Sequence, residues 1–233
     1  MLGYQVRSLH GAPRTIGVIL MTSERMAVED LRLLGGWLCL DFVNSIENRA
    51  GMPEDFLTSY PDLVRWGAHA GLVTDAAAAR LIARAAADEP AAREALQQAL
   101  ALRAALHRLF LAIATRQRPD PADLERLRGA YADAMSGATL VPANERFTWA
   151  WRPDEQRLDH LLWPVARSAV ELLTTGDPRR IKVCENPYGC GWLFYDGSKN
   201  GSRRWCSMEG CGSQVKMRRQ YAKRRASAAV NGG

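Results

Sequence analysis

Four of the chain's five cysteines lie between positions 184 and 211. Five residues separate Cys184 from Cys190, four separate Cys206 from Cys211, and fifteen separate the two pairs. A thiolate is a soft ligand. Two close pairs joined by a short ribbon are the spacing by which zinc is held on four sulfurs. Each pair would offer two sulfurs from one tight turn, and the ribbon between them must fold back to bring the pairs together. Glycines at 189, 191, 210 and 212 stand beside the second cysteine of each pair, where sharp turns are needed. Disulfides would use the same cysteines, but they belong to small secreted chains. No secretory signal is read in these 233 residues, so reduced thiols and a cytoplasmic setting are expected. Four thiolates also close the metal's shell, which suits structure and not catalysis.

The elements that must position these sulfurs follow from the flanking text. Trp192-Leu193-Phe194-Tyr195 has strand character, and Asp196-Gly197 opens a turn. Ser207 is placed to cap a helix running from about Glu209 to Arg225. That helix carries Lys216, Arg218, Arg219, Lys223, Arg224 and Arg225 and no acid after Glu209. Short hairpin, zinc and basic helix together describe a treble-clef-like finger.

The run Cys190-Gly-Trp-Leu-Phe194, then Ser202-Arg-Arg-Trp-Cys-Ser-Met208, then Cys211-Gly212 and a basic helix, resembles the CGNR zinc finger family. Its members are regarded as bacterial transcription regulators. The family's Cys-Gly-Asn-Arg is here Cys211-Gly212-Ser213-Gln214, which keeps the ligand and the glycine and replaces the other two. The first pair is also one residue wider than the family pattern, with Gly189 as the insertion. The resemblance implies zinc on Cys184, Cys190, Cys206 and Cys211.

The charge distribution points the same way. Residues 179–225 hold twelve Lys/Arg and three Asp/Glu, while the rest of the chain holds 19 and 22, so the net charge of +6 is concentrated in the finger. A mildly acidic body with a strongly basic module is the footprint of nucleic-acid binding. Arg203, Arg204, Lys216, Arg218, Arg219 and Lys223 are the expected contacts to DNA. Gln214 is expected to keep some base reading, because an amide can bond adenine with both its groups. An RNA-binding or protein-interaction finger uses the same features and stays open.

The body reads as helical. Gly35-Gly36 breaks the chain, and Trp37–Ile46 is apolar around Asp41 and Asn44. This opening resembles the ABATE domain that precedes the finger in this family, a domain held to sense a ligand or stress. Asp41, Asn44 and Arg49 are candidate pocket residues for a small-molecule effector; the plainer role for Asp41 and Asn44 is to satisfy buried backbone groups. Helices are expected from Ser59 to Ala70, from Thr74 to Ala87, from Pro90 through Ile113, from Pro121 to Met135 and from Arg157 to Leu173, with a kink at Pro164. Thr139–Val141 and Arg146–Trp151 read as a hairpin, with Phe147, Trp149 and Trp151 on one face expected in the core.

The expected fold is thus mainly α with a small β-hairpin: a helical domain over 26–178, a linker at Thr174–Pro178, a finger over 179–225 and a tail over 226–233. Residues 1–25 carry no readable function. Histidines 10, 69, 107 and 160 fall in no motif, and no nucleophile elbow, phosphate loop or dinucleotide fingerprint is present, so no enzyme is expected. No apolar run reaches the length of a membrane span. A homodimer is compatible with these features, although no heptad repeat is visible.

Overall fold

The computed structural model describes residues 27–47, 50–151 and 157–231. After a short turn at Val28–Asp30, α1 (Leu38–Val43) is followed by two-residue strands β1 (Ile46–Glu47) and β2 (Glu54–Asp55). Helices α2 (Tyr60–His69), α3 (Asp75–Ala87), α4 (Glu89–Ala114) and α5 (Pro121–Ser136) come next. The hairpin β3 (Ala138–Ala143) and β4 (Arg146–Trp151) leads to α6 (Leu162–Thr174). Strands β5 (Ile181–Val183) and β6 (Leu193–Tyr195) pair antiparallel, and α7 (Ser213–Asn231) closes the described chain.

Local chemistry explains most of the helix starts. Ser59 and Asp62 form a reciprocal capping box on α2, with Pro61 in its first turn. Thr74, Asp88 and Asp120 cap α3, α4 and α5 through their side-chain oxygens. The last helix of the body differs from expectation. It begins at Leu162, so Pro164 lies in its first turn, where no intrahelical bond is lost and no kink is needed. Arg157 is instead held before the helix by Asp133 and Asp159, with its Nη2 at 2.7 and 2.6 Å from their carboxylates.

The β3–β4 hairpin forms as expected, in register Leu140 with Trp149 and Pro142 with Phe147. Its aromatic stripe is not core, however. Phe147 is 71% exposed, Leu140 56% and Trp149 37%. The ribbon meets the body at its base, where the Trp151 indole N–H donates to Ala134 O at 2.6 Å. A two-stranded ribbon has no second layer of its own to cover its apolar face.

One apolar core joins α1, α2, α4 and α6 with the β5–β6 pair. Phe42, Trp66, Leu106, Phe110, Leu172, Leu193 and Phe194 are each almost wholly buried in it. The strand pair that carries the finger therefore completes the packing of the body, although the linker at 174–178 precedes it in sequence. Asn44, 1% exposed, makes the closest join. Its Nδ2 donates to Leu193 O at 2.8 Å, and its Oδ1 accepts from Leu193 N at 3.0 Å. Tyr195 N donates to Gly35 O at 2.8 Å, and the Trp192 indole donates to Ile46 O at 2.9 Å. Next to Asn44 in sequence, Ser45 Oγ accepts from buried Arg103 of α4 at 2.9 Å, and Arg103 also pairs with Asp55.

Removing the Asn44 side chain strands the buried N–H and C=O of Leu193. Each unsatisfied group costs about 1–3 kcal/mol. Asn44→Ala is expected to lower the unfolding free energy by about 2–4 kcal/mol. Urea denaturation of the zinc-loaded protein measures this, and a loss below about 1 kcal/mol would show that the join is not a main support.

Candidate metal centre

The sulfurs of Cys184, Cys190, Cys206 and Cys211 all lie within 4.8 Å of one another. Cys206 Sγ is 3.7 Å from both Cys190 Sγ and Cys211 Sγ. Four thiolates at about 2.3 Å from a tetrahedral ion stand roughly 3.8 Å apart, so this spacing fits zinc.

Each turn aims its sulfurs through backbone bonds. Cys184 N donates to Trp192 O at 2.8 Å, and the Trp192 amide faces the Cys190 sulfur. Gly189 has φ +114°, a conformation that side chains rarely adopt, and its carbonyl accepts from Ala50 N at 2.9 Å. The extra residue of the first pair thus touches the body. Past the second pair, a Cβ at Gly212 would stand 2.9 Å from Met208 Sδ and 3.3 Å from the Trp205 ring. A side chain there would have to displace the exposed Met208 thioether and crowd the Trp205 ring.

The basic helix opens as one widened turn, Met208–Gly212, before α7. Ser207 Oγ accepts from Gly210 N at 3.1 Å, as a cap should. Val215 is buried and pins the first turn of α7; every residue from Lys216 to Arg225 is exposed.

The expected DNA-contact residues fall into two groups. Lys216, Arg218, Arg219 and Lys223 are exposed on α7, and Arg204 is exposed with Glu185 at 2.6 Å. Arg203 and Gln214 are turned into the finger. The Arg203 guanidinium lies 4.7 Å from the Phe194 ring centroid and donates to Cys206 O at 2.6 Å. Gln214 Oε1 accepts from Asn186 Nδ2 at 2.6 Å, so the amide expected to read bases holds the finger's own loop. Sequence reasoning also missed an internal ion pair. Asp196 is fully buried and receives Lys182 Nζ at 2.7 Å, Ser198 Oγ at 2.6 Å and Arg203 N at 2.8 Å. Burial raises its carboxyl, but these donors more than offset that and hold it far below the usual range. Strand pairing puts Lys182 opposite Phe194, which sets its amine beside Asp196; the Asp-Gly turn signal gave no hint of it.

Of the candidate pocket residues of the body, Asp41 and Asn44 are engaged with backbone groups. Asn44 is spent on Leu193, and Asp41 Oδ1 accepts from Gly35 N at 2.7 Å. Arg49 lies outside the described residues. Cys39 is a buried hydrophobe whose thiol burial pushes up to about 12, and Ser168 Oγ accepts its backbone N–H.

A helical body completed by a segment with four clustered thiols defines a zinc-finger protein. The family model ABATE, described as a "putative stress-induced transcription regulator", matches residues 36–176, and the CGNR zinc finger model matches 180–224. The chain belongs to the ABATE family and carries the CGNR zinc finger directly after that domain. Neither description names an enzyme. No curated protein matches the chain. Among the described residues no helix is long and apolar enough to cross a membrane.

Two outcomes are expected. Zinc should be present at one ion per chain by elemental analysis, and Cys206→Ser should lose it together with the protease resistance of residues 180–225. Retention of a full zinc equivalent by that variant would remove Cys206 from the ligand set. The second concerns Asp41, whose carboxyl burial pushes up to about 6, against bonds from Gly35 and the His69 charge. A raised acid favours its protonated form in the folded state, so the contribution of Asp41 to stability is full below about pH 4 and is lost as pH rises through about 6. Asp41→Asn keeps an acceptor for Gly35. Its stability relative to the parent should rise between pH 4 and 6.5 by up to about 3 kcal/mol, measured by urea denaturation at each pH.

Proposed function

We propose that this protein is a zinc-dependent DNA-binding transcription regulator of the cytoplasm and not an enzyme. Cys184, Cys190, Cys206 and Cys211 are its zinc ligands, and α7 is its DNA-contacting element. The helical part over 26–178 acts as the sensing unit, and residues 179–225 act as the finger. The observation that carries this is the state of α7. Six Lys/Arg and no acid stand on a helix exposed from Lys216 to Arg225, whose buried anchor among the described residues is Val215 at its metal end. Like charges three and four residues apart repel, so such a helix gains stability from a polyanion laid along it. Lys216, Arg219 and Lys223 share one face and form a rail for phosphates. Zinc would hold the two cysteine turns together and so fix where that rail starts.

A sensing role needs a cavity away from Asp41 and Asn44. We assign it to the space of about 340 Å³ lined by Leu72, Val73, Ala77, Leu81, Trp151 and Leu161, which is mainly apolar and of a size that takes a small molecule.

Replacing Arg219 and Lys223 together by Ala should weaken binding to all duplex sequences alike. It should also flatten the dependence of log affinity on log salt by about two, near 0.9 per lost phosphate contact. Fluorescence anisotropy with labelled duplexes over a salt series measures both. Unchanged affinity and slope would remove α7 as the contacting element.

A further inference from the structure

The exposed part of α7 is not uniform around its axis. At about 3.6 residues per turn, Lys216, Arg219 and Lys223 form one ridge, while Gln214, Arg218, Tyr221 and Arg225 lie on another face. This second face carries aromatic rings. Tyr221 is 64% exposed, with the Arg225 guanidinium 5.9 Å from its ring centroid. Tyr188, from the first cysteine turn, is 40% exposed, and the Arg218 guanidinium stands over its ring at 4.1 Å. Among the described residues neither arginine has a carboxylate partner.

The backbone that carries Tyr188 is held from several sides. Its backbone N–H donates to Asn186 Oδ1 at 3.0 Å, and Asn186 Nδ2 donates to Gln214 Oε1 at 2.6 Å. The next residue, Gly189, is tied to Ala50 of the body. Loop and helix thus form one surface, with two ring–guanidinium pairs side by side, since Arg218 and Tyr221 are three residues apart on α7.

A phosphate rail needs charge alone and gains nothing from a tyrosine. Where a guanidinium stands over one face of a tyrosine, a nucleobase stacks on the ring's other face or on the outer plane of the guanidinium, so ring and cation serve it together. In a duplex the faces of the bases are already covered by their neighbours. Only unpaired bases can use such rings, and neighbouring aromatic platforms take neighbouring bases.

We propose that the Tyr188–Arg218 and Tyr221–Arg225 pairs form a stacking platform for unpaired bases of DNA, alongside the phosphate rail of Lys216, Arg219 and Lys223. It rests on the DNA-binding role proposed above and adds the strand state that the finger recognises. The platform is sequence-tolerant, because every base has a face to stack. Gln214 holds the platform together and does not read bases.

The test uses the zinc-loaded full chain, a labelled oligothymidylate and the duplex of the same strand with oligodeoxyadenylate, by fluorescence anisotropy. The parent should bind the unpaired strand. Tyr188→Ala and Tyr221→Ala should each weaken that binding about tenfold, within the range for one lost base stack, and Tyr→Phe at either position should restore it. Because no charge is removed, the salt slope should not change. Duplex affinity should move by less than about twofold. Zinc content and thermal midpoint, measured on each variant, confirm that the surface tested is folded. Equal weakening on both substrates, or no weakening on the unpaired strand, overturns the platform. Binding of the duplex but not of the oligothymidylate also overturns it and leaves the DNA-binding role standing. Binding of neither substrate overturns both.

Discussion

The finger has too little apolar surface to fold on its own. Its strands are three residues long, and its buried apolar residues are few: Ile181, Trp192, Leu193, Phe194 and Val215. Segments of this size need a metal or a partner surface to offset the entropy of ordering them. This one uses both, at opposite ends. The β5–β6 pair turns Leu193 and Phe194 into the core of the helical body, while the outer turns converge through their sulfurs. Asn44 stands at the seam between the two. Its side-chain amide pairs with both backbone groups of Leu193, as an adjoining strand would, so the finger's inner strand has no unpaired edge there. A consequence is that the metal end and the helical body are mechanically continuous. Asn44 directly follows α1, so two hydrogen bonds join that helix's end to Leu193, nine residues from Cys184 in sequence and closer through the strand pair.

Charge in the finger is divided by use. Lys182 is spent on the buried Asp196 and on the carbonyls of Gly201 and Arg203, and Arg180 donates to Asp196 O and Ser198 O. Arg203 packs on Phe194 and closes on Cys206 O. These three cations hold the loop from Asp196 to Cys206, which brings the second cysteine pair back to the first. The cations left facing solvent are those of α7 together with Arg179, Lys199 and Arg204, of which Arg179 pairs with Asp177 and Arg204 with Glu185. The net excess of positive charge in this segment therefore overstates what is presented to a partner, while its concentration on one exposed helix is greater than the composition suggests.

Sequence reasoning went furthest where a single residue type decides the local structure. The caps at Ser59, Thr74 and Ser207 satisfy orphan backbone donors, whatever the rest of the fold does, so the starts of α2, α3 and the basic helix were legible. The paired cysteines were legible for a related reason. Soft ligands in tight turns have few other uses in a reducing setting, and the family match over 180–224 agrees with that spacing. Phe147, Trp149 and Leu140 show the opposite case. Alternation along a strand states which residues share a face, but not whether another layer arrives to cover that face.

By itself, then, the amino-acid sequence determined the helices with their caps, the two cysteine pairs and the excess of positive charge beyond residue 178. Each follows from chemistry within a few residues. Tertiary structure alone decided the partners. It spent Asn44 on Leu193, Gln214 on Asn186 and Lys182 on Asp196, and it set Tyr188 under Arg218, thirty residues away. A hydrogen bond or ring contact is made between residues that the fold brings within a few ångströms, and no local pattern encodes that distance. The side chains expected to meet a ligand or DNA were recognisable as polar, but whether that polarity faces outward or closes the finger on itself is a property of the packed chain.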